Sequence, residues 1–246
     1  MSEEALAAFR RRLEWTAPLR RRTLRSLGLP EGSRVLEVGC GPGLVLEELE
    51  ARGWRAEGLE ADPWLAGLAA VSGRKVSVGR AEELPFPDGA FDAALTHLVL
   101  LWLPDPVAAL REMKRVVRPG GQVVALAEPD LLARIDWPDL GYATWMARFL
   151  RARAGHPDAG RRLGEWFVQA GLRPRIQAAS SVWTARRLRR DWAAEWEMWS
   201  RELGPWVGEE ELARWREAEA ASLERGTRLL VQPYFGARAR VGVREG

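Results

Sequence analysis

The sequence predicts an α/β fold built on a doubly wound, mostly parallel sheet. Short apolar, strand-like runs alternate with helical stretches from residue 33 to residue 128, and such alternation puts helices on both faces of a parallel sheet. Gly39, Gly41 and Gly43 follow the first run, at the carboxyl end of a strand, where doubly wound sheets bind ligands. A length of 246 residues with 47% hydrophobic content allows a large core and excludes a disordered chain.

Residues 3–27 predict a helical lead-in that Pro18 divides into two short helices, because proline lacks a backbone donor. Arg10-Arg11-Arg12 and Arg20-Arg21-Arg22 alternate there with Leu6, Phe9, Leu13, Leu24 and Leu27, the pattern of solvated helix faces. A strand at 34–39 follows, then a helix at 44–52 stopped by Gly53. Next come a strand at 55–60, a helix at 63–71 and a strand at 75–79. The turn-rich Pro85-Phe-Pro-Asp-Gly89 leads into a strand at 90–96. A helix at 105–118 ends at Pro119-Gly120-Gly121, and a fifth strand spans 122–127.

Beyond Glu128 the alternation breaks down. The pattern there gives helices at 137–154 and 158–170, a strand at 173–182, and helices at 188–203 and 209–225. A closing strand begins at 228 and extends to Val243. The added helices read as an insertion before that strand. One domain of 1–246 results: a lead-in at 1–30, an alternating core at 31–130, added helices with a sixth strand at 131–227, and the closing strand at 228–243.

The basic side chains are 35 arginines against two lysines, Lys75 and Lys114, and asparagine is absent. That composition fits a heat-adapted or GC-biased source. A single cysteine, Cys40, excludes a disulfide framework or cysteine-rich zinc site and suits a reducing compartment. Residues 5–9 are too short for a secretory signal and run into arginines. The longest apolar run, 98–103, cannot cross a bilayer. A soluble, cytoplasmic protein with no membrane partner is expected. The pI near 9.6 raises nucleic acid as a partner, yet residues 31–128 carry net −5 and residues 129–190 net +7. The positive excess lies outside the core.

The chemistry is carried by Val35-Leu-Glu-Val-Gly-Cys-Gly-Pro-Gly43. Glycine at this turn lets backbone approach a ligand. Glu60, some 20 residues on, ends the second strand, where a carboxylate can accept both hydroxyls of a ribose. Together they argue for an adenosine-type cofactor. A dinucleotide fingerprint needs a glycine at the sixth position from Gly39, where Leu44 stands. Glu37, two residues before Gly39, repels a pyrophosphate and favours a cation. A sulfonium cofactor bearing an ammonium group fits; an NAD(P)-dependent oxidoreductase is disfavoured.

With these residues in hand, the sequence resembles the class I S-adenosylmethionine-dependent methyltransferases, in the small-molecule "methyltransferase type 11" branch. Besides the glycine loop, the resemblance rests on Gly58-Leu-Glu-Ala-Asp-Pro63, Ala81-Glu-Glu-Leu-Pro-Phe-Pro-Asp-Gly-Ala-Phe-Asp92 and Arg115-Val-Val-Arg-Pro-Gly-Gly121, in family order across residues 33–130. It implies a Rossmann-like, seven-stranded sheet with an antiparallel last strand. It also implies that Glu37, Gly39, Cys40, Gly41 and Gly43 face the methionine portion of S-adenosylmethionine. Glu60 would bind the ribose, with Ala61 and Leu65 beside the adenosine and Ala81 and Glu82 edging the adenine. Thr96 and His97 would lie near the transferred methyl. Arg80 departs from the family's usual aspartate and cannot accept from the adenine amino group; Glu82 is the candidate to replace it.

Bland readings stand beside these. Cys40 is expected as a packed loop residue and His156 as a loop histidine. Trp192, Trp196 and Trp199 are expected as a helix's buried face. Glu128 and Asp130 either line the acceptor site or cap the next helix. If the acceptor sheds a proton, His97 is the first candidate base, with Tyr142 and Tyr234 behind it. Trp102, Trp137 and Trp145 are candidates for cation–π contact with the sulfonium. The expected acceptor is a small molecule, acidic or aromatic. RNA is the runner-up, weakened by the absence of an appended RNA-binding module, and a cofactor-binding protein without catalysis is a third reading. Nothing in the sequence points to a metal or fixes the oligomeric state.

Overall fold

A computed structural model describes residues 3–242; the predicted strand end at Val243 and the side chain of Trp199 lie outside the described residues. Helix α1 spans Glu3–Ser26. Strand β1 (Arg34–Val38), helix α2 (Leu44–Glu50), strand β2 (Arg55–Glu60), helix α3 (Pro63–Val71) and strand β3 (Val76–Val78) follow as the periodicity predicts. Asp62 begins α3 by accepting from Trp64 N at 2.8 Å, with Pro63 in the first turn, where its missing N–H costs nothing. Strand β4 (Phe91–Thr96) leads through a 3₁₀ turn at Leu100–Trp102 to helix α4 (Pro106–Val116) and strand β5 (Val117–Pro129).

Strands β1 to β5 pair in parallel in the order β3-β2-β1-β4-β5. The winding reverses between β1 and β4, and a crevice forms outside strand ends at such a point. The strand-long alternation of side chains separates two apolar layers. Leu36, Val38, Ala94, Val123 and Ala125 pack with Leu110 and Met113 of α4. Val35, Ala93, Leu95, Val124 and Leu126 pack with Leu24 of α1 and Leu46 and Leu49 of α2.

Several expectations are corrected. Pro18 does not divide the lead-in, since α1 runs through it. Its apolar face is anchored on both sides of the proline, by Leu13 and by Leu24 and Leu27, and Arg20 Nη1 donates to Leu13 O at 2.7 Å across that turn. Strand β5 begins at Val117 rather than 122, passing through Pro-Gly-Gly. Gly120 N donates to Val241 O and Val241 N to Gly121 O, and a Cβ on Gly121 would meet Asp92 O at 2.5 Å.

Among the described residues the sheet has eight strands, not seven. Strand β6 (Ile135–Trp137) precedes helices α5 (Tyr142–Arg151) and α6 (Ala159–Gln169), strand β7 (Arg175–Thr184), helices α7 (Ala185–Val207) and α8 (Glu209–Glu224), and strand β8 (Leu229–Arg240). The expected helix at 137–154 starts only at Tyr142, because Pro138 disfavours helical backbone at Trp137. Strand β8 outruns β5. It pairs with β5 through 234–240 and with β6 through 229–231, while β7 takes its other edge along 229–238. The antiparallel last strand is as expected.

Candidate active site

The strand ends at the switch point open into a cavity of about 580 Å³. It extends from the end of β2 to β8, four strand steps, or roughly 19 Å at about 4.8 Å per step. At its β1–β3 end stand Glu37, Gly39, Cys40, Gly41, Glu60 and Ala61, with Leu65, Ala81 and Glu82 beyond them, and His97 lies past β4. The remaining two expected residues are elsewhere. Gly43 caps α2 with φ 79°, and a Cβ there would meet Ala69 Cβ at 3.0 Å, so it serves close packing of α2 on α3. Thr96 is fully buried between Val38 and Ala125 and does not reach the cavity wall.

Gly39 has φ 72°, and a Cβ would strike Val99 Cγ2 at 2.6 Å. The glycine therefore lets the loop after β4 close against the loop after β1. Gly39 N and Cys40 N both donate to Leu59 O. Cys40 is the packed residue expected of it: its Sγ fills the space of a Cβ on Gly58, and burial, with Glu37 and Glu60 nearby, pushes its thiol up. It is no nucleophile.

Glu60 accepts from Gly41 N at 2.8 Å and Asp62 N at 3.0 Å. A carboxylate has about four acceptor sites, which leaves capacity for a diol. Glu37 is almost wholly buried, and its Oε2 has no partner among the described residues. Burial holds its carboxyl well above the usual range, opposed in part by Arg20. A buried carboxylate with an idle oxygen on a cavity wall suits a ligand cation. Arg80 Nη2 donates to Glu82 Oε1 at 3.4 Å, so the departure from the family pattern pairs with its expected substitute.

His97 Nε2 lies 2.7 Å from Thr16 Oγ1 of α1, which accepts from Arg20 Nη1 at 2.8 Å. Burial, and then Arg20, lowers the imidazole to about 3. Glu128 and Asp130 do not line the cavity. Glu128 accepts from the N–H groups of Val99, Leu100 and Leu101. Asp130 caps the 3₁₀ turn at Leu131–Ala133 and binds Arg161.

Trp102 lines the cavity, but Trp137 and Trp145 do not; Trp137 is 65% exposed on β6, and Trp145 packs beside Trp215. Trp137 precedes α5 on a short strand, and Trp145 lies on the face of α5 turned to Trp215, while Tyr142 and Met146 of the same helix line the cavity. Trp196 is a buried face with Leu212 and Trp215, with Trp192 beside it. His156 lies against Trp166. The sequence reading missed Phe9, Leu13 and Trp15 of α1, which cover the cavity, and Arg134, Met146 and Gln232 at its β8 end. The apolar face of α1 was the only signal for the first three.

Residues 36–125 match the family described as a methyltransferase domain. The chain is 38% identical over 178 residues to a demethylmenaquinone methyltransferase of Mycobacterium sp. (strain KMS), covering 69% of this chain and 76% of that one. It is 33% identical to an uncharacterized methyltransferase of Schizosaccharomyces pombe, covering 69% and 67%. A solved methyltransferase structure from Bacillus halodurans C-125 superposes with a TM-score of 0.65 at 15% identity, covering 91% and 99%. Among the described residues no helix is long and apolar enough to cross a membrane.

Proposed function

Because this chain belongs to the class I S-adenosylmethionine-dependent methyltransferases, we propose that it methylates a small-molecule acceptor by in-line displacement. The observation that carries this reading is the pairing of Glu37 and Glu60 on one wall of a cavity that continues past His97 to β8. When bound, S-adenosylmethionine supplies a methyl group on a positively charged sulfur. Glu37 meets the ammonium of its methionine portion and Glu60 the ribose hydroxyls. Ala61 and Leu65 pack beside the adenosine, Ala81 and Glu82 edge the adenine, and Trp102 is the ring on hand for the sulfonium. The work left to the protein is to hold nucleophile, methyl and sulfur in line and exclude water, which can supply several kcal/mol through orientation alone. Helix α1 supplies the cover.

Arginines behind the positive charge of 129–190 favour the small molecule over RNA. Arg161 binds Asp130, Arg134 binds Asp136, and Arg148, Arg153 and Arg187 lie over Trp145, Phe149 and Trp183. Calorimetric titration tests the cofactor reading: S-adenosylhomocysteine binds and NADH gives no heat. The reverse result overturns it.

A further inference from the structure

The polar groups of the cavity divide by sign. Its acidic lining residues, among the described ones, are Glu37, Glu60 and Glu82, all at the β1–β3 end. The β5–β8 end has one cation, Arg134, in a wall otherwise built from side chains such as Leu13, Trp15, Leu131 and Met146. The Arg134 side chain is only 7% exposed. Its Nε and Nη2 both donate to Asp136, at 2.5 and 2.9 Å, and its guanidinium lies 4.0 Å from the centroid of Tyr142. Tyr142 and Tyr234 line the same part of the cavity. Asp136 is shared with Arg228 at 2.6 Å. Asp136 thus orients the Arg134 fork while its Nη1 keeps no protein partner among the described residues.

We infer that the acceptor is an apolar, ring-bearing molecule with an anionic oxygen group, and that Arg134, beside Tyr142, is the residue that selects it. The inference rests on the methyl-transfer reading above and names its substrate class. A guanidinium with a free face recognises a carboxylate or phenolate by charge-assisted hydrogen bonds, and the apolar wall takes the rings. An ammonium-bearing acceptor finds no counter-charge among the described residues that line this end.

The surroundings of His97 point the same way. Its Nε2 is engaged with Thr16 Oγ1 at 2.7 Å, and burial lowers the imidazole to about 3, which makes it a weak base toward the acceptor. An oxyanion needs no base: its lone pair forms the O–C bond, the C–S pair leaves with sulfur, and no proton moves.

The test is calorimetry on the full chain saturated with S-adenosylhomocysteine, using 4-phenylbenzoate and its neutral isostere 4-phenylbenzamide. The carboxylate is expected to bind about 10- to 100-fold tighter, and Arg134→Gln to abolish that preference with affinity for S-adenosylhomocysteine unchanged. If the amide binds as well as the carboxylate, if neither binds, or if Arg134→Gln keeps the preference, the inference is overturned while the cofactor reading stands. If the wild-type chain does not bind S-adenosylhomocysteine, both fall. The wild-type comparison decides the matter even if Arg134→Gln unfolds.

Discussion

Glu128 Oε1 accepts a hydrogen bond from Leu100 N at 3.1 Å, so the last buried carboxylate of β5 holds the first turn of the loop that leaves β4. Val99 and Leu101 donate to the same carboxylate. Burial outweighs these three donors and raises Glu128 from 4.5 to about 7. The folded protein therefore binds this proton more tightly than the unfolded chain, by about 3 kcal/mol. That stabilisation is complete below pH 4.5 and is lost as pH rises through 7. Glu128→Gln removes the dependence, so the melting temperature of the variant relative to wild type should climb between pH 4.5 and 7.5. A constant difference across that range would show that Glu128 is ionised throughout.

Glu37 sets function against stability. Its buried carboxyl has an oxygen without a partner and is held well above its ordinary value by burial. Glu37→Gln should leave the melting temperature unchanged or higher, while affinity for S-adenosylmethionine falls about tenfold or more. Binding of a cation beside a protonated carboxyl expels the proton, so wild-type affinity should rise with pH. Calorimetry in two buffers of different ionisation enthalpy measures the proton released.

Gly39 and Gly43 should separate. Both have positive φ, and alanine at either position costs about 1–3 kcal/mol. Only Gly39 lines the cavity. Gly39→Ala should weaken S-adenosylhomocysteine binding as well as stability, through the displaced Val99 loop. Gly43→Ala should lower the melting temperature and spare affinity at temperatures where the protein stays folded. Equal losses of affinity would refute the division.

Asp136 lies between Arg134 and Arg228, and Arg228 also binds Glu219 at 2.7 Å. Asp136→Asn leaves two buried guanidinium groups undercompensated, and thermal or urea unfolding should register about 3–5 kcal/mol of lost stability. Both arginines hold the Asp136 carboxyl below its ordinary 3.8, against the opposing effect of burial. Its contribution is therefore present above pH 3.8 and drains away as pH falls below it. A variant with wild-type stability would mean that the pair adds nothing net.

The parallel core was legible because its signals are local. Val35-Leu-Glu-Val38, the Asp62-Pro63 cap and the glycines after β1 each act within a few residues, and alternation assigned side chains to faces. Thr96 lies behind the cavity lining; periodicity gives a strand's two faces but not how far its end projects into a ligand space. Strand β6 was missed because three residues carry no periodic signal, and only the overhang of β8 gives them a partner.

The sequence by itself determined the doubly wound order through β5, the acidic and glycine-rich half of the cavity, and the family. Tertiary structure decided the other half. Thr16 lies 81 positions before His97, yet its hydroxyl engages the imidazole, and Arg134 and Tyr234 share the cavity wall from 100 residues apart. Such groups have no local pattern, because their chemistry follows from which strand and helix ends converge. That convergence is fixed only once the chain has paired β8 against β5 and laid α1 across the opening.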